Sequence, residues 1–323
     1  IGVMPPQKSG PFAGPATFMN VPFSADPSGS LAAILGVPFD GGIHPTRIGA
    51  RTGPASIREQ SLLVRPFQPP HATYSPLEAL GVVDCGDADA TPSVVDQSFE
   101  EIEAAGLAVV NAGAAPLALG GDGMITLPLL RAVKRKFPEL AVLHIDAHTD
   151  TYRGDGNATH DRYNVATTFT RAAEEGLVDL EHSFHVGARG PVMVPDVFEH
   201  TREKGYNLID GAALFEHGLT ETANDLKAQL AGRPVYLCFD MDFFDPSCAP
   251  GVCTPTWGGA SAREGLGFIQ ALAGIDFIAA DINTVSPPHD VAGMTAFLAG
   301  TVAIEILTLF CQSPSIRNNI GKA

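Results

Sequence analysis

Short apolar runs alternate along the chain with longer amphipathic stretches. The runs at 32–37, 81–83, 115–119, 141–145, 183–186, 234–239 and 277–281 have the length of buried strands. Between them, 97–112, 127–136, 167–175, 220–231, 262–273 and 294–310 read as helices. Pro54 marks one more helix start at 53–58, because proline suits the first turn. Strands spaced by helices predict a parallel sheet with helices on both faces. In such sheets ligands sit beyond the carboxyl ends of the strands, so the residues following each run are where chemistry is to be sought. Residues 1–30, rich in Pro, Gly and Ser, read as an N-terminal arm leading into one domain over 31–323. No internal repeat, heptad run or low-complexity linker divides that domain.

Composition narrows the function. The chain has 323 residues, enough for two domains of about 150 residues or for one large α/β domain. A hydrophobic fraction of 45% with 17% charged residues excludes a disordered chain. Lys and Arg number 20 against 36 Asp and Glu, a formal charge of −16, which is the wrong sign for a nucleic-acid binder and suits cationic ligands or metal ions. The five cysteines form no CxxC pair, which argues against a disulfide framework and for a reducing cytoplasm. No run of 18 apolar residues predicts a membrane span, and the first ten residues do not read as a signal peptide.

Three strand candidates run into unusual polar clusters. After 141–143 come His144, Asp146, His148 and Asp150; the last three alternate, and in an extended segment they would project to one side. Two carboxylates and an imidazole converging there call for a cation, and mixed oxygen and nitrogen donors suit first-row divalent metals. After 235–239 come Asp240 and Asp242, again on one face of an extended segment. Buried carboxylates without a partner would be costly, so a second set of ligands, and a two-metal hydrolytic centre, is the reading. Asp245-Pro246 reads as turn chemistry. After 116–119 comes Gly120-Gly121-Asp122-Gly123, which alone signals only a tight strand-to-helix turn.

Taken in order, these clusters with GVPFD at 36–40, RIGARTGPASIR at 47–58 and APGVCTPTWGG at 249–259 resemble the ureohydrolase family of arginases, agmatinases and guanidinobutyrases. FAGPATFM at 12–19 and Asp150-Thr151-Tyr152 resemble the agmatinase branch in particular. The resemblance covers nearly the whole chain. It implies a three-layer α/β/α fold, a binuclear centre of Mn2+ or sometimes Ni2+, hydrolysis of a guanidino group to urea and an amine, and a trimer or hexamer. Residue by residue, Asp146 and Asp240 match bridging carboxylates, and His148 and Asp242 match the remaining ligands of one metal. Asp150 matches a ligand of the other metal that also handles protons, and His160 matches a proton-shuttling histidine.

Two departures stand out. The family has His after Gly-Gly-Asp, the one nitrogen ligand of the second metal; this chain has Gly123. The family has Glu in a Val-Glu-Val triplet that receives the substrate guanidinium; this chain has Asn283-Thr284-Val285, with Thr284 at the substrate position. Val252-Cys253 is a smaller change. The expectations are therefore one or two unequally held metals per chain and a substituted guanidine or biguanide as substrate. The alternatives are a degenerate subunit supporting an active paralogue in a hetero-oligomer, and a sensor or scaffold that kept only the fold.

Overall fold

The computed structural model describes residues 16–320 except 42–43, 45, 92 and 155–161. The strands are β1 (Ala32–Val37), β2 (Val83–Asp87), β3 (Ala115–Gly120), β4 (Ala141–Ile145), β5 (Phe184–Val186), β6 (Asn207–Ile209), β7 (Pro234–Asp240) and β8 (Asp276–Asn283). The helices are α1 (Gly53–Ser61), α2 (Pro76–Ala79), α3 (Val95–Asn111), α4 (Thr126–Lys134), α5 (Thr168–Glu174), α6 (Val197–Glu203), α7 (Gly211–His217), α8 (Leu219–Gln229), α9 (Ala262–Ala271), α10 (Met294–Gln312) and α11 (Pro314–Arg317). Every strand run foreseen in the sequence is present, that at 81–83 displaced to 83–87. The short elements β6, α6 and α7 were not foreseen; each is too brief to show a period.

The eight strands form one parallel sheet in the order β2-β1-β3-β8-β7-β4-β5-β6. Alternate strand residues enter opposite cores. Ile34, Leu117, Leu143, Leu237 and Ile282 pack with Ile57 of α1, Leu226 of α8, Phe268 of α9 and most of α10. Leu35, Ala118, Val142, Tyr236 and Ala279 pack with Ile102 of α3, Leu130 of α4 and Phe169 of α5. The result is the three-layer α/β/α sandwich. Helix α10 is long and apolar enough to cross a membrane, but most of it is buried against β8, α1 and α9, as befits a helix apolar on all sides.

Local chemistry fixes several boundaries. Pro54 opens α1, and Ser261 and Glu264 close a reciprocal capping box on α9 with contacts of 3.3 and 2.9 Å. Residues of the N-terminal arm that are described lie against the body: Phe18 is fully buried and its N–H donates to Asp84 at 2.8 Å. Arg58 of α1 donates to both oxygens of Asp84, at 2.9 Å each, tying arm, helix and β2 together. All five cysteines are free.

Candidate metal centre

The four central strands β3, β8, β7 and β4 are neighbours in the sheet, and their carboxyl ends bring distant segments together. Asp122 follows β3, Asn283 ends β8 with Thr284 just beyond, Asp240 ends β7 with Asp242 just beyond, and Asp146, His148 and Asp150 follow β4. This is where an open parallel sheet places a ligand. The convergence does not come from strand alternation, as the spacing suggested. Strand β4 ends at Ile145 and β7 at Asp240, so the clusters sit on turns that fold back over the strand ends. Asp240 Oδ1 accepts from the N–H of Asp242 at 2.7 Å, and Asp146 Oδ1 accepts from the N–H of His148 at 2.6 Å. Each is an Asx turn that aims the following side chain inward. Asp150 completes the loop with a left-handed backbone, φ 50°, which aspartate tolerates.

The polar groups interlock. His148 Nδ1 lies 3.1 Å from Asp242 Oδ2 and 3.3 Å from Asp146 Oδ1, and its Nε2 is 3.2 Å from the Thr256 hydroxyl. Asp242 Oδ1 accepts from the Ala147 N–H at 3.1 Å. Two sets of donor atoms, from Asp146, His148 and Asp242 and from His144, Asp146 and Asp150, each lie within 4.8 Å of one another. Asp240 stands beside them, its oxygens turned to the Asp242 N–H and the Thr284 hydroxyl.

Charge explains what this arrangement needs. Asp146, Asp150, Asp240 and Asp242 are all buried, and among the described residues no Lys or Arg forms an ion pair with any of them. Burial, reinforced by the Asp146 charge, pushes Asp150 and Asp242 up, and burial with Asp242 and Asp146 does the same to Asp240. Burial also disfavours charge on His148, but the Asp242 and Asp146 carboxylates outweigh it and raise the imidazole well above its usual value. Desolvated carboxylates that repel one another are relieved by a divalent cation. The donor set of carboxylate oxygens with one imidazole fits such an ion.

The two departures have clear geometry. Gly123 begins a short 3-10 turn whose cap is Asp122. A Cβ built on Gly123 would lie 3.2 Å from Asp150 Oδ2 and 3.0 Å from Val165 Cγ2, so the missing side chain would point into the carboxylate cluster. Asp122 does not turn inward to replace it: its Oδ1 accepts from the Met124 N–H at 3.0 Å and its Oδ2 from the Gly41 N–H at 2.7 Å. Gly121 is required where it stands, because a Cβ there would meet the Phe39 carbonyl at 1.6 Å. Thr284 is buried, has a left-handed backbone with φ 72°, and turns its hydroxyl to Asp240 and, at 2.6 Å, to Asn283 Oδ1. A β-branched residue in this region is strained. Thr284 thus braces a candidate ligand, a role the sequence did not suggest. His160 lies outside the described residues.

The sequence placed His144 in its cluster without giving it a role, and it passed over His185. His144 Nε2 is 2.8 Å from Asp146 Oδ2, and its Nδ1 is 2.8 Å from His185 Nδ1. The signal for His144 was its place two residues before Asp146; nothing local marked His185, which reaches the site only through strand pairing.

Known proteins resemble the chain over most of its length. The model of the arginase family matches residues 30–308. The guanidinopropionase of Pseudomonas aeruginosa is 39% identical over 94% of this chain and 93% of its own length. The agmatinase of Neisseria meningitidis is 36% identical over 90% of this chain and 92% of its own. Among solved structures, the proclavaminate amidino hydrolase of Streptomyces clavuligerus superposes with a TM-score of 0.88 at 32% identity, covering 94% of this chain and 99% of that one. With the parallel sheet, the carboxylate cluster at its edge and a family match across most of its length, the chain belongs to the arginase family of ureohydrolases, in the agmatinase-like branch.

Proposed function

We propose that this chain is a metal-dependent amidinohydrolase, binding one divalent ion firmly and a second weakly and cleaving a C–N bond of a substituted guanidine or biguanide. The observation that carries it is the convergence of the Asp146, Asp242 and Asp150 carboxylates with His148 at the sheet edge, where among the described residues no Lys or Arg pairs with them. Asp146, His148, Asp240 and Asp242 would hold the first ion, Mn2+ or Ni2+; Asp146, Asp150 and Asp240 would hold the second with no nitrogen donor, hence more weakly. Bound ions would supply Lewis acidity and an acidified water. Asp150 would orient that water and, with His160, return its proton to the departing amine. Water adds its oxygen to the guanidino carbon, the C–N bond breaks, and urea or a substituted urea leaves with the protonated amine.

Thr284 supports the substrate assignment. A hydroxyl occupied by Asp240 and Asn283 offers no charge to a guanidinium. Agmatine and arginine should therefore be poor substrates, and alkylated guanidines and biguanides better ones. A second reading rests on Gly123 and Thr284 together: the chain is the weaker or non-catalytic subunit of a trimeric or hexameric hetero-oligomer whose paralogue carries the catalysis. We place either form in the cytoplasm, on the strength of five free cysteines.

The test is urea and amine release from a panel of guanidines and biguanides, using the chain alone and with a co-encoded relative, each with and without Asp146→Ala. Loss of activity with Asp146→Ala in this chain supports the first reading. Retention in the mixed oligomer supports the second. Turnover of agmatine by the chain alone at about 10 per second would refute the substrate assignment.

A further inference from the structure

His144 and His185 are register partners on the adjacent strands β4 and β5, so their side chains stand side by side on one face of the sheet. Both are buried, and their rings meet edge to face with centroids 4.9 Å apart. His185 is further enclosed by Phe169 and Tyr206, at 5.0 and 4.6 Å. The Tyr206 hydroxyl donates to the Phe169 carbonyl at 2.9 Å, and His185 Nε2 is buried with no partner among the described residues.

These contacts set the direction of a hydrogen-bonded chain. The Asp146 carboxylate accepts at 2.8 Å from His144 Nε2, which must then carry a proton. In a neutral imidazole the other nitrogen, Nδ1, is then an acceptor. His185 Nδ1 at 2.8 Å must donate to it, and the proton on Nδ1 leaves His185 Nε2 bare. That is the nitrogen found without a partner. Reversing the chain would put an N–H there instead, an unpaired donor enclosed by aromatic rings, which is the costlier orphan.

The distances alone would also let His144 serve as a ligand with Asp146 and Asp150. It could then replace the nitrogen that Gly123 cannot supply. The order of the chain argues otherwise, because a ligating Nε2 must be free of its proton. We propose that His185 is a positioning residue: it donates to His144 Nδ1, fixes the His144 proton on Nε2, and keeps His144 a donor that orients Asp146 rather than a ligand. The geometry stands without any metal; only its consequence for affinity rests on the metal-centre reading above.

Metal-free protein carrying 15N-labelled histidine should show His144 protonated at Nε2 and His185 at Nδ1 in long-range correlation spectra. In His185→Phe, which keeps the aromatic enclosure, His144 should lose its single tautomer and Mn2+ affinity should fall by about 10–100-fold. In His185→Gln, whose amide can donate, affinity should be largely restored. Three results would overturn the proposal: His144 protonated at Nδ1 in the wild-type chain, one-bond coupling between His144 Nε2 and bound cadmium, or unchanged Mn2+ affinity in folded His185→Phe. Should that variant not fold, the wild-type spectra still decide. A wild-type chain with His144 protonated at Nε2 and His185 at Nδ1 that nevertheless binds no Mn2+ upholds the hydrogen-bond order and refutes the metal centre instead.

Discussion

Gly123→His restores the one imidazole whose absence distinguishes this centre, and its effect can be worked from the backbone. The φ of Gly123 lies outside the left-handed region, so a side chain meets no conformational penalty. Replacing glycine should itself stabilise the fold by about 0.4–1 kcal/mol through the unfolded chain. Against this stands the Cβ contact of 3.0 Å with Val165 Cγ2, which requires a shift of a few tenths of an ångström in a half-buried side chain. Overpacking of this kind costs about 1–3 kcal/mol, less where the neighbour can yield. Because the new Cβ lies 3.2 Å from Asp150 Oδ2, the imidazole enters the carboxylate cluster beside a group that would share the ion. A neutral nitrogen donor adds no charge to a site already crowded with carboxylates. The expectation is a metal-free stability within about 2 kcal/mol of the original, combined with at least a tenfold gain in affinity for the second Mn2+, or about 1.4 kcal/mol. The assay is metal content per chain after dialysis against graded chelator, with calorimetric titration of Mn2+ and urea unfolding as the check on folding. Gly123→His with Val165→Ala removes the one tight apolar contact and separates steric failure from chemical failure. If both variants fold and neither holds more metal than the original, Gly123 is not the reason for a weak second site. Two chelator-resistant ions per chain in the unaltered protein would refute the same reasoning from the other side.

Further outcomes follow from the contacts around the site and the arm. Arg58→Ala should destabilise the protein by about 3–5 kcal/mol in urea unfolding, because it strands the buried Asp84 carboxylate that Arg58 grips at 2.9 Å. Thr284→Val keeps the branched shape but removes the donor shared by Asp240 and Asn283. It should cost about 1–3 kcal/mol and lower Mn2+ affinity; an unchanged unfolding midpoint and titration would show that the hydroxyl braces nothing. Burial pushes Asp122 up to about 7, from an ordinary 3.8. Between those values the folded carboxyl keeps a proton that the unfolded one has released, so its contribution to stability is lost as pH rises through that window. Asp122→Asn should therefore flatten the fall in stability over that range, measured by urea unfolding of the metal-free protein. An identical pH slope in the two proteins would count against the shift.

Much of this protein was legible in one dimension. Apolar runs of strand length separated by helical stretches set the parallel sheet, because burial on both faces makes such strands uniformly apolar and each crossover needs a helix. The polar clusters at the ends of those runs marked Asp146, His148, Asp150, Asp240 and Asp242, and the ordered motifs placed the chain in its family. The absences at Gly123 and Thr284 were visible only against that family pattern, since a glycine or threonine carries no mark of what it replaces. What remained for the tertiary structure was every relation between distant segments. The order β3-β8-β7-β4 depends on pairings that no local periodicity encodes, and it alone brings Asp122, Thr284, Asp240 and Asp146 to one edge. The turning of Thr284 towards Asp240 depends on a left-handed φ that a β-branched residue would not choose in isolation. The His144–His185 contact depends on the register of β4 against β5 across 41 residues of sequence. Side-chain chemistry near a strand end can be read from its neighbours in the chain; which carboxylate, hydroxyl or imidazole it meets is decided by how the strands are ordered and aligned.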